Sequence, residues 1–329
     1  MILGILIVVH EFGHFIVAKK LGVRVEKFSL GFGPALWRKK IGDTEYCICA
    51  IPLGGYVKPS GDSLEEYKKK PYEFLAKSPG ERAKIILAGP LLNYILGFLC
   101  FWLVFFVGYP TLTSKVGGLV DGFGAKDAGL KIGDKIVAID GVKVDYWEDL
   151  QNIIHSKANL AVVQLSVLRG NKEETVKVVL KQKELADLLG QKRSVSLLGI
   201  TPSEEFVKVR HGPIAAMVLG VKHTWDLTVT VYKAFGLMVV RKLSIKEATG
   251  PVGMFFITSK IAKQGLIALI NFIGIISVHL AIFNLLPLPL LDGGHLVLLA
   301  AEKARGKNIG IKAERVITQV GFTMIIALA

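Results

Sequence analysis

His10, Glu11 and His14 stand in the order His-Glu-Phe-Gly-His within the first apolar run of the chain. On a helix, positions i and i+4 share a face, so both imidazoles can bring a ring nitrogen to one cation, about 2.0–2.1 Å away for zinc. Glu11 then stands beside the water such a cation would activate, placed to take its proton and pass it to a leaving amine. This is the residue pattern of zinc peptidases. The plain alternative is a chance match on an interfacial helix. Against it stands cost: an ionisable side chain near the centre of a membrane helix costs roughly 2.5–3.5 kcal/mol, and residues carried at that cost mark a site or a pathway.

Two histidines leave zinc one short of the three protein ligands of a catalytic site. The far end of the chain supplies a candidate in Asn284-Leu285-Leu286-Pro287-Leu288-Pro289-Leu290-Leu291-Asp292-Gly293-Gly294. Its two prolines break helical bonding ahead of a carboxylate and two glycines, and irregular backbone at membrane depth must be buried in protein or line a wet cavity. The bland reading is a Pro-rich helix stop followed by an interfacial Asp. Topology speaks against it, because His10, His14 and Asp292 all fall toward the cytoplasmic ends of their spans and can meet at one depth. His295 could support the ligands from behind, and His279 suits a polar contact inside a helix bundle. His155, His211 and His223 are isolated and read as surface or interfacial.

These residues need a membrane scaffold, and the composition provides one. The 329 residues are 51% hydrophobic yet carry 41 Lys+Arg against 27 Asp+Glu, a mixture that fits membrane spans joined to polar parts. Residues 85–108 and 266–291 lack any charge and are long enough to cross about 30 Å of hydrocarbon. Residues 1–18 form a shorter apolar stretch, and 316–329 a fourth candidate that stops short, about 21 Å at 1.5 Å per residue. The first stretch lacks a basic n-region and an A-x-A-like cleavage site, so it is expected to stay in the mature protein. With four spans, the short basic loops at 19–84 and 292–315 face the cytoplasm and the long central segment lies opposite. The expected fold is therefore an α+β membrane protein: a polytopic helical bundle of about four spans, a membrane-associated β-hairpin and one inserted extracytoplasmic β domain. The active site is then expected near the cytoplasmic side.

The net charge of +14 is spread over every polar segment without a nucleic-acid-binding motif, so it points to membrane lipid and away from nucleic acid. Cys47, Cys49 and Cys100 match neither a redox pair nor a zinc ribbon and read as structural.

Taken together the motifs resemble the site-2 protease family of intramembrane zinc metalloproteases, most closely its bacterial regulator-of-sigma-E protease group. The likeness continues, in order, through Gly31-Phe32-Gly33-Pro34, Ile51 to Lys58, Ala88-Gly89-Pro90-Leu91-Leu92-Asn93 and Gly250-Pro251-Val252-Gly253, and is nearly end to end. It implies His10, His14 and Asp292 as zinc ligands and Glu11 as the base. It also implies a role for Asn284, within the segment containing Pro287 and Pro289, in holding substrate or its developing oxyanion. The implied activity is regulated intramembrane proteolysis of single-span membrane proteins, either anti-sigma factors after a first cut or signal-peptide remnants. Two rival classes are an inactive scaffold, against which the intact Glu11 speaks, and a metal transporter, against which the lack of repeated halves speaks.

A helical substrate must unwind before its carbonyls are accessible, and something must pair with the freed strand. Residues 44–57 read as strand, turn, strand, with Tyr46, Ile48 and Val57 around Pro52 and Gly54-Gly55. Its exposed edge could add a substrate strand, which makes Gly54, Gly55 and Tyr56 substrate-binding candidates. Ala88-Gly89-Pro90 fits a packing notch or a substrate contact equally. Residues 115–202 form the β-rich insert, where alternation in 161–168 and 175–180 flanks an Arg169-Gly170-Asn171 turn and 149–156 looks helical. Within it, residues 128–141 resemble the core of bacterial PDZ domains. Leu198-Gly199-Ile200 would be either its peptide-carboxylate loop or simply its last strand, the domain then acting as a size filter. Residues 203–264 are expected to form an amphipathic helical linker, over 213–241 either lying on the membrane or packing on the PDZ-like part. The N-terminal membrane part is then 1–113 and the C-terminal one 265–329.

Overall fold

The computed structural model describes residues 2–157, 161–186, 192–240, 261, 264–306 and 319. They divide into two compact units, one containing Met1–Val104 and Ile214–Phe235 with the C-terminal portion, the other containing Phe105–Pro213. The expected fourth span at 316–329 lies outside the described residues, Gln319 excepted, as does Gly250-Pro251-Val252-Gly253.

Among the described residues of the first unit, three helices are long and apolar enough to cross a membrane: α1 (Ile2–Lys20), α2 (Pro79–Val107) and one at Leu266–Asn284. In hydrocarbon each backbone amide must find its partner within the helix, so an apolar run of this length has little alternative. The second helix begins six residues before its charge-free stretch because Ser78 and Glu81 form a reciprocal cap. Ser78 N–H donates to Glu81 Oε2 at 2.9 Å, and Glu81 N–H donates to Ser78 Oγ at 3.3 Å. The third apolar helix ends at Asn284, earlier than the expected 291, because the two prolines of 285–291 interrupt helical bonding. Helix then resumes at Asp292–Arg305.

The expected hairpin over 44–57 is not what forms. Val25–Ile41 is a strand, β1, and Thr44–Pro59 is a second, β2, joined by a turn at Gly42-Asp43. Phe28 stands opposite both Val57 and Tyr46, and Leu30 opposite both Gly55 and Ile48. The two flanks read as partners therefore never pair with each other; the start of β1 lies between them. Irregular register near Gly31 and Gly33, both with positive φ, lets β1 bend and double back. Ala18, Val23, Val25 and Ile85 then bury together with Val57 and Phe74, fastening the sheet to α1 and α2.

The second unit is a β-rich domain as expected, but larger than 115–202. Its outermost pair, β3 (Tyr109–Leu112) with β12 (Phe206–Val209), brings both ends of the domain together, a long-range pairing that local alternation cannot reveal. Inside come β4 (Val116–Leu119), the short α3 (Gly124–Asp127), β5 (Lys135–Ile139), β6 (Val142–Lys143), α4 (Trp147–Ser156), β7 (Val162–Arg169) and β8 (Lys172–Val179). β9 (Lys181–Ala186), β10 (Lys192–Leu197) and β11 (Ile200–Pro202) complete the chain order. The main sheet runs β6-β5-β7-β8. Val163, Leu165 and Val167 on the inward face of β7 are buried with Ile136, Ile139 and Val178.

From Pro213 to Val239 the chain forms one helix, α5. Two contacts fix its lie within the first unit: His223 packs edge-on against Phe101, with ring centroids 4.6 Å apart, and the Tyr94 hydroxyl is 2.9 Å from Thr228 Oγ1. As the number rises along α5 it falls along α2, so α5 runs lengthwise and antiparallel beside a membrane-crossing helix. That geometry differs from the expected placement flat on the membrane. Two further helices among the described residues are α6 (Leu266–Asn284) and α7 (Asp292–Arg305).

Asp134 is 2% exposed and is gripped by Arg169, Nε to Oδ1 at 2.9 Å and Nη2 to Oδ2 at 2.7 Å, with the Lys131 N–H as a third donor. The Arg169 hydrogen bonds hold this carboxyl below the usual range. Its stabilisation is thus complete above the unfolded value near pH 4 and disappears as pH falls through the lower folded value. Arg169→Ala strands the buried carboxylate and is expected to cost about 3 kcal/mol. Hydrogen exchange of the β7 amides in the full-length protein, corrected for intrinsic rates, measures the loss and should show it shrinking in acid.

Candidate metal centre and active site

On α1, His10 and His14 project from one face, as the i, i+4 spacing requires. Asp292 comes from the first turn of α7, where a carboxylate also benefits from the helix N-terminus. His10 Nε2 is 3.0 Å from Asp292 Oδ2, His14 Nε2 is 3.5 Å from the same oxygen, and the two nitrogens are 3.1 Å apart. His14 has its hydrogen placed elsewhere, since Nδ1 is 2.8 Å from the Ile85 carbonyl, which can only accept. Its Nε2 therefore carries a lone pair. Asp292 Oδ2 is buried and makes no well-formed hydrogen bond.

Three electron-pair donors crowded in this way repel one another unless a cation lies among them. Zinc bonds of 2.0–2.1 Å in a tetrahedron put neighbouring ligand atoms about 3.3 Å apart, and the measured edges bracket that value. The donor set, two imidazoles and a carboxylate, also fits zinc. The sequence pattern points to these three residues from opposite ends of the chain, and the structure brings them together.

The surroundings explain how the triangle is held. A Cβ on Gly89 would lie 2.3 Å from His14 Nε2, and one on Gly13 would lie 2.3 Å from the Ala88 carbonyl oxygen. Ala88-Gly89-Pro90 forms a packing notch, which lets the α2 backbone press against the histidines. At Asp292 the following glycines serve likewise. A Cβ on Gly293 would sit 2.3 Å from the Leu285 and Leu286 carbonyl oxygens, so only bare backbone lets α7 tuck beneath the 285–291 segment.

Glu11 stands next to the triangle, and its Oε2 accepts a 3.2 Å hydrogen bond from the Val57 N–H of β2. Sequence pattern gives no sign of that bond, because it joins a helix to a strand whose placement depends on the whole sheet. His10, Glu11, His14, Val57, Asn284, Asp292 and His295 line one cavity of about 870 Å³. Pro287, Pro289, Gly54, Gly55 and Tyr56 lie outside its lining. Gly54 packs on α1, where an added Cβ would lie 3.4 Å from Ile7, and Tyr56 stacks on Phe32, with centroids 6.1 Å apart. At another part of the cavity wall, Arg82 Nη2 donates to Glu302 Oε2 at 2.8 Å, a buried ion pair tying α2 to α7 that no local motif announces. His279 Nδ1 is 2.8 Å from the Ile275 carbonyl one turn earlier in α6, a bond within its own helix and not the contact between helices expected of it.

The sequence profile of Peptidase family M50 matches residues 1–328. This chain belongs to that family, the site-2 proteases, and is a zinc-dependent membrane metalloendopeptidase of the kind that works in regulated intramembrane proteolysis. Among its relatives, a Clostridium acetobutylicum protein named as a zinc metalloprotease is 35% identical over 99% of this chain and 92% of its own length. The regulator of sigma-E protease RseP of Escherichia coli is 29% identical over 99% of this chain and 94% of its own. Among solved structures, the PDZ domain of an SdrC-like protein from Listeria innocua aligns with 28% of this chain and 96% of its own, at 26% identity and a TM-score of 0.23.

Gly89→Ala should push the His14 ring off its position and lower zinc content in the purified protein at least tenfold at fixed chelator, while a glycine-to-alanine change at exposed Gly80, where nothing lies within 4 Å of the added atom, leaves it unchanged. Metal analysis after dialysis reads both.

Proposed function

We propose that this enzyme cuts peptide bonds inside the transmembrane segments of single-span membrane proteins, with His10, His14 and Asp292 holding zinc and Glu11 as general base. The observation that carries this is the buried triangle of ligand atoms with a carboxylate beside it, opening on a cavity of about 870 Å³. Zinc, when bound there, polarises the scissile carbonyl and makes water more acidic. Glu11 takes a proton from the attacking water and delivers it to the amide nitrogen as the C–N bond breaks, leaving an acid and an amine. The Val57 N–H holds the Glu11 carboxylate in the orientation that this transfer needs.

A transmembrane helix satisfies its own carbonyls, so the substrate must unwind and present an extended strand. Val57 directs its N–H away from β1 and into the site. The same outward edge of β2 borders the cavity and can pair with the freed strand by β-addition. Gly54 and Gly55 bring that edge close to α1, and Tyr56, stacked on Phe32, stiffens it. Asn284 lines the cavity and offers an amide to the substrate or its developing oxyanion, while Pro287 and Pro289 keep the neighbouring backbone irregular.

The substrates we favour are anti-sigma factors already trimmed by a first protease, with signal-peptide remnants as the second class. The enzyme would sit in a bacterial plasma membrane with its β-rich domain extracytoplasmic and its active site toward the cytoplasm. That domain has a groove of about 260 Å³ lined by Leu150, Gln151 and Ile154 of α4 and by Leu197 to Ile200. A groove between helix and strand suits a peptide C-terminus, in the manner of PDZ domains.

With a labelled transmembrane substrate, Glu11→Gln is expected to slow cleavage by about 10²- to 10⁴-fold while retaining zinc; equal rates would remove the mechanism. Asp292→Ala should drop zinc below one per chain, and unchanged stoichiometry would move the third ligand elsewhere, with His295 first. In cells holding only the Glu11→Gln form, proteomics of accumulating membrane fragments would separate the two substrate classes.

A further inference from the structure

Asn93 lies on α2 beside His10 and has no exposed surface. Its amide nitrogen Nδ2 is 3.4 Å from His10 Nδ1, and its amide oxygen Oδ1 is buried without a hydrogen-bond partner. The backbone at this position is pinned from the other side. The hydroxyl of Ser277 on α6, itself fully buried, donates to the Asn93 carbonyl at 2.8 Å.

A neutral imidazole that offers Nε2 to a metal carries its hydrogen on Nδ1, and a buried N–H needs an acceptor. For His14 the acceptor is the Ile85 carbonyl. For His10 the polar group placed at Nδ1 is the Asn93 amide. A half-turn about the last side-chain bond exchanges oxygen and nitrogen while leaving the shape of the amide unchanged. Oδ1 then accepts from His10 Nδ1, and the amide N–H groups turn to the side where the oxygen had no partner.

We propose that Asn93 is a positioning residue for the metal centre: in the zinc-loaded enzyme its Oδ1 accepts the His10 Nδ1–H and so aims His10 Nε2 at the metal. The inference rests on His10 being a zinc ligand. It gives the buried amide a purpose that packing does not, since a leucine of similar volume would fill the same space without a stranded polar atom. It also makes Ser277, Asn93 and His10 one polar column through α6, α2 and α1.

The test is zinc affinity, measured by chelator competition on the full-length protein in detergent for wild type, His10→Ala, Asn93→Leu and Asn93→Asp. Asn93→Leu is expected to weaken zinc 10- to 100-fold. Asn93→Asp, which keeps the acceptor and cannot donate once ionised, is expected to bind within about threefold of wild type or tighter. Wild-type affinity in Asn93→Leu overturns the proposal, as does a tenfold or greater loss in Asn93→Asp, which decides the matter alone should the leucine variant not fold. If His10→Ala binds zinc as wild type does, the ligand assignment itself fails; if it loses zinc while Asn93→Leu does not, only the role of Asn93 is refuted.

Discussion

The close approach of three ligand atoms, His10 Nε2, His14 Nε2 and Asp292 Oδ2, is the constraint around which the membrane unit is built. His10, His14 and Asp292 come from opposite ends of the chain and meet within 3.5 Å at the largely buried wall of a cavity. Bringing them so close demands that the backbones carrying them approach unusually near, and the sequence meets that demand with glycine at each crossing. Gly13 faces the Ala88 carbonyl, Gly89 lies under the His14 ring, and Gly293 and Gly294 let the first turn of α7 slide beneath the Pro-rich segment. Leu290, with φ of +76°, sits at the end of that segment, where the chain turns sharply to deliver Asp292.

The sheet has two tasks that a simple hairpin could not combine. Because β1 runs between the two arms of β2, one arm stays buried in the sheet while the arm carrying Gly55 to Pro59 is free on its far side to face α1. From there the Val57 amide reaches Glu11. The strand edge that would receive substrate and the carboxylate that would move the proton are thus mechanically joined by one hydrogen bond.

Much of this architecture is legible in the amino-acid order. Charge-free runs of two dozen residues have only one backbone solution in hydrocarbon, so α2 and α6 can be read directly. The alternation around Arg169-Gly170-Asn171 likewise yields β7 and β8, because a half-buried strand must alternate. The sheet at 25–59 is where local pattern misleads. Turn signals at Pro52 and Gly54-Gly55 suggest a hairpin there, yet the chain runs through them in a single strand, since Gly55 to Pro59 pair with Leu30 to Val25, 25 to 34 residues upstream. The end of the third apolar helix moves for a related reason: hydrophobicity continues to Leu291, but the prolines withdraw the hydrogen bonds.

Residue order alone places two imidazoles on one helix face with a carboxylate between them in sequence, apolar spans to bury them, and a distant Asp after a helix break. Those follow from residue type and short-range geometry. Only the tertiary structure decided which atoms meet, namely that Ile85 takes the His14 hydrogen, that Val57 holds Glu11, that Arg82 finds Glu302 across 220 residues, and that Asn93 stands at His10. Each of these joins elements far apart in the chain, and such pairings depend on how helices and strands pack, which no local periodicity encodes.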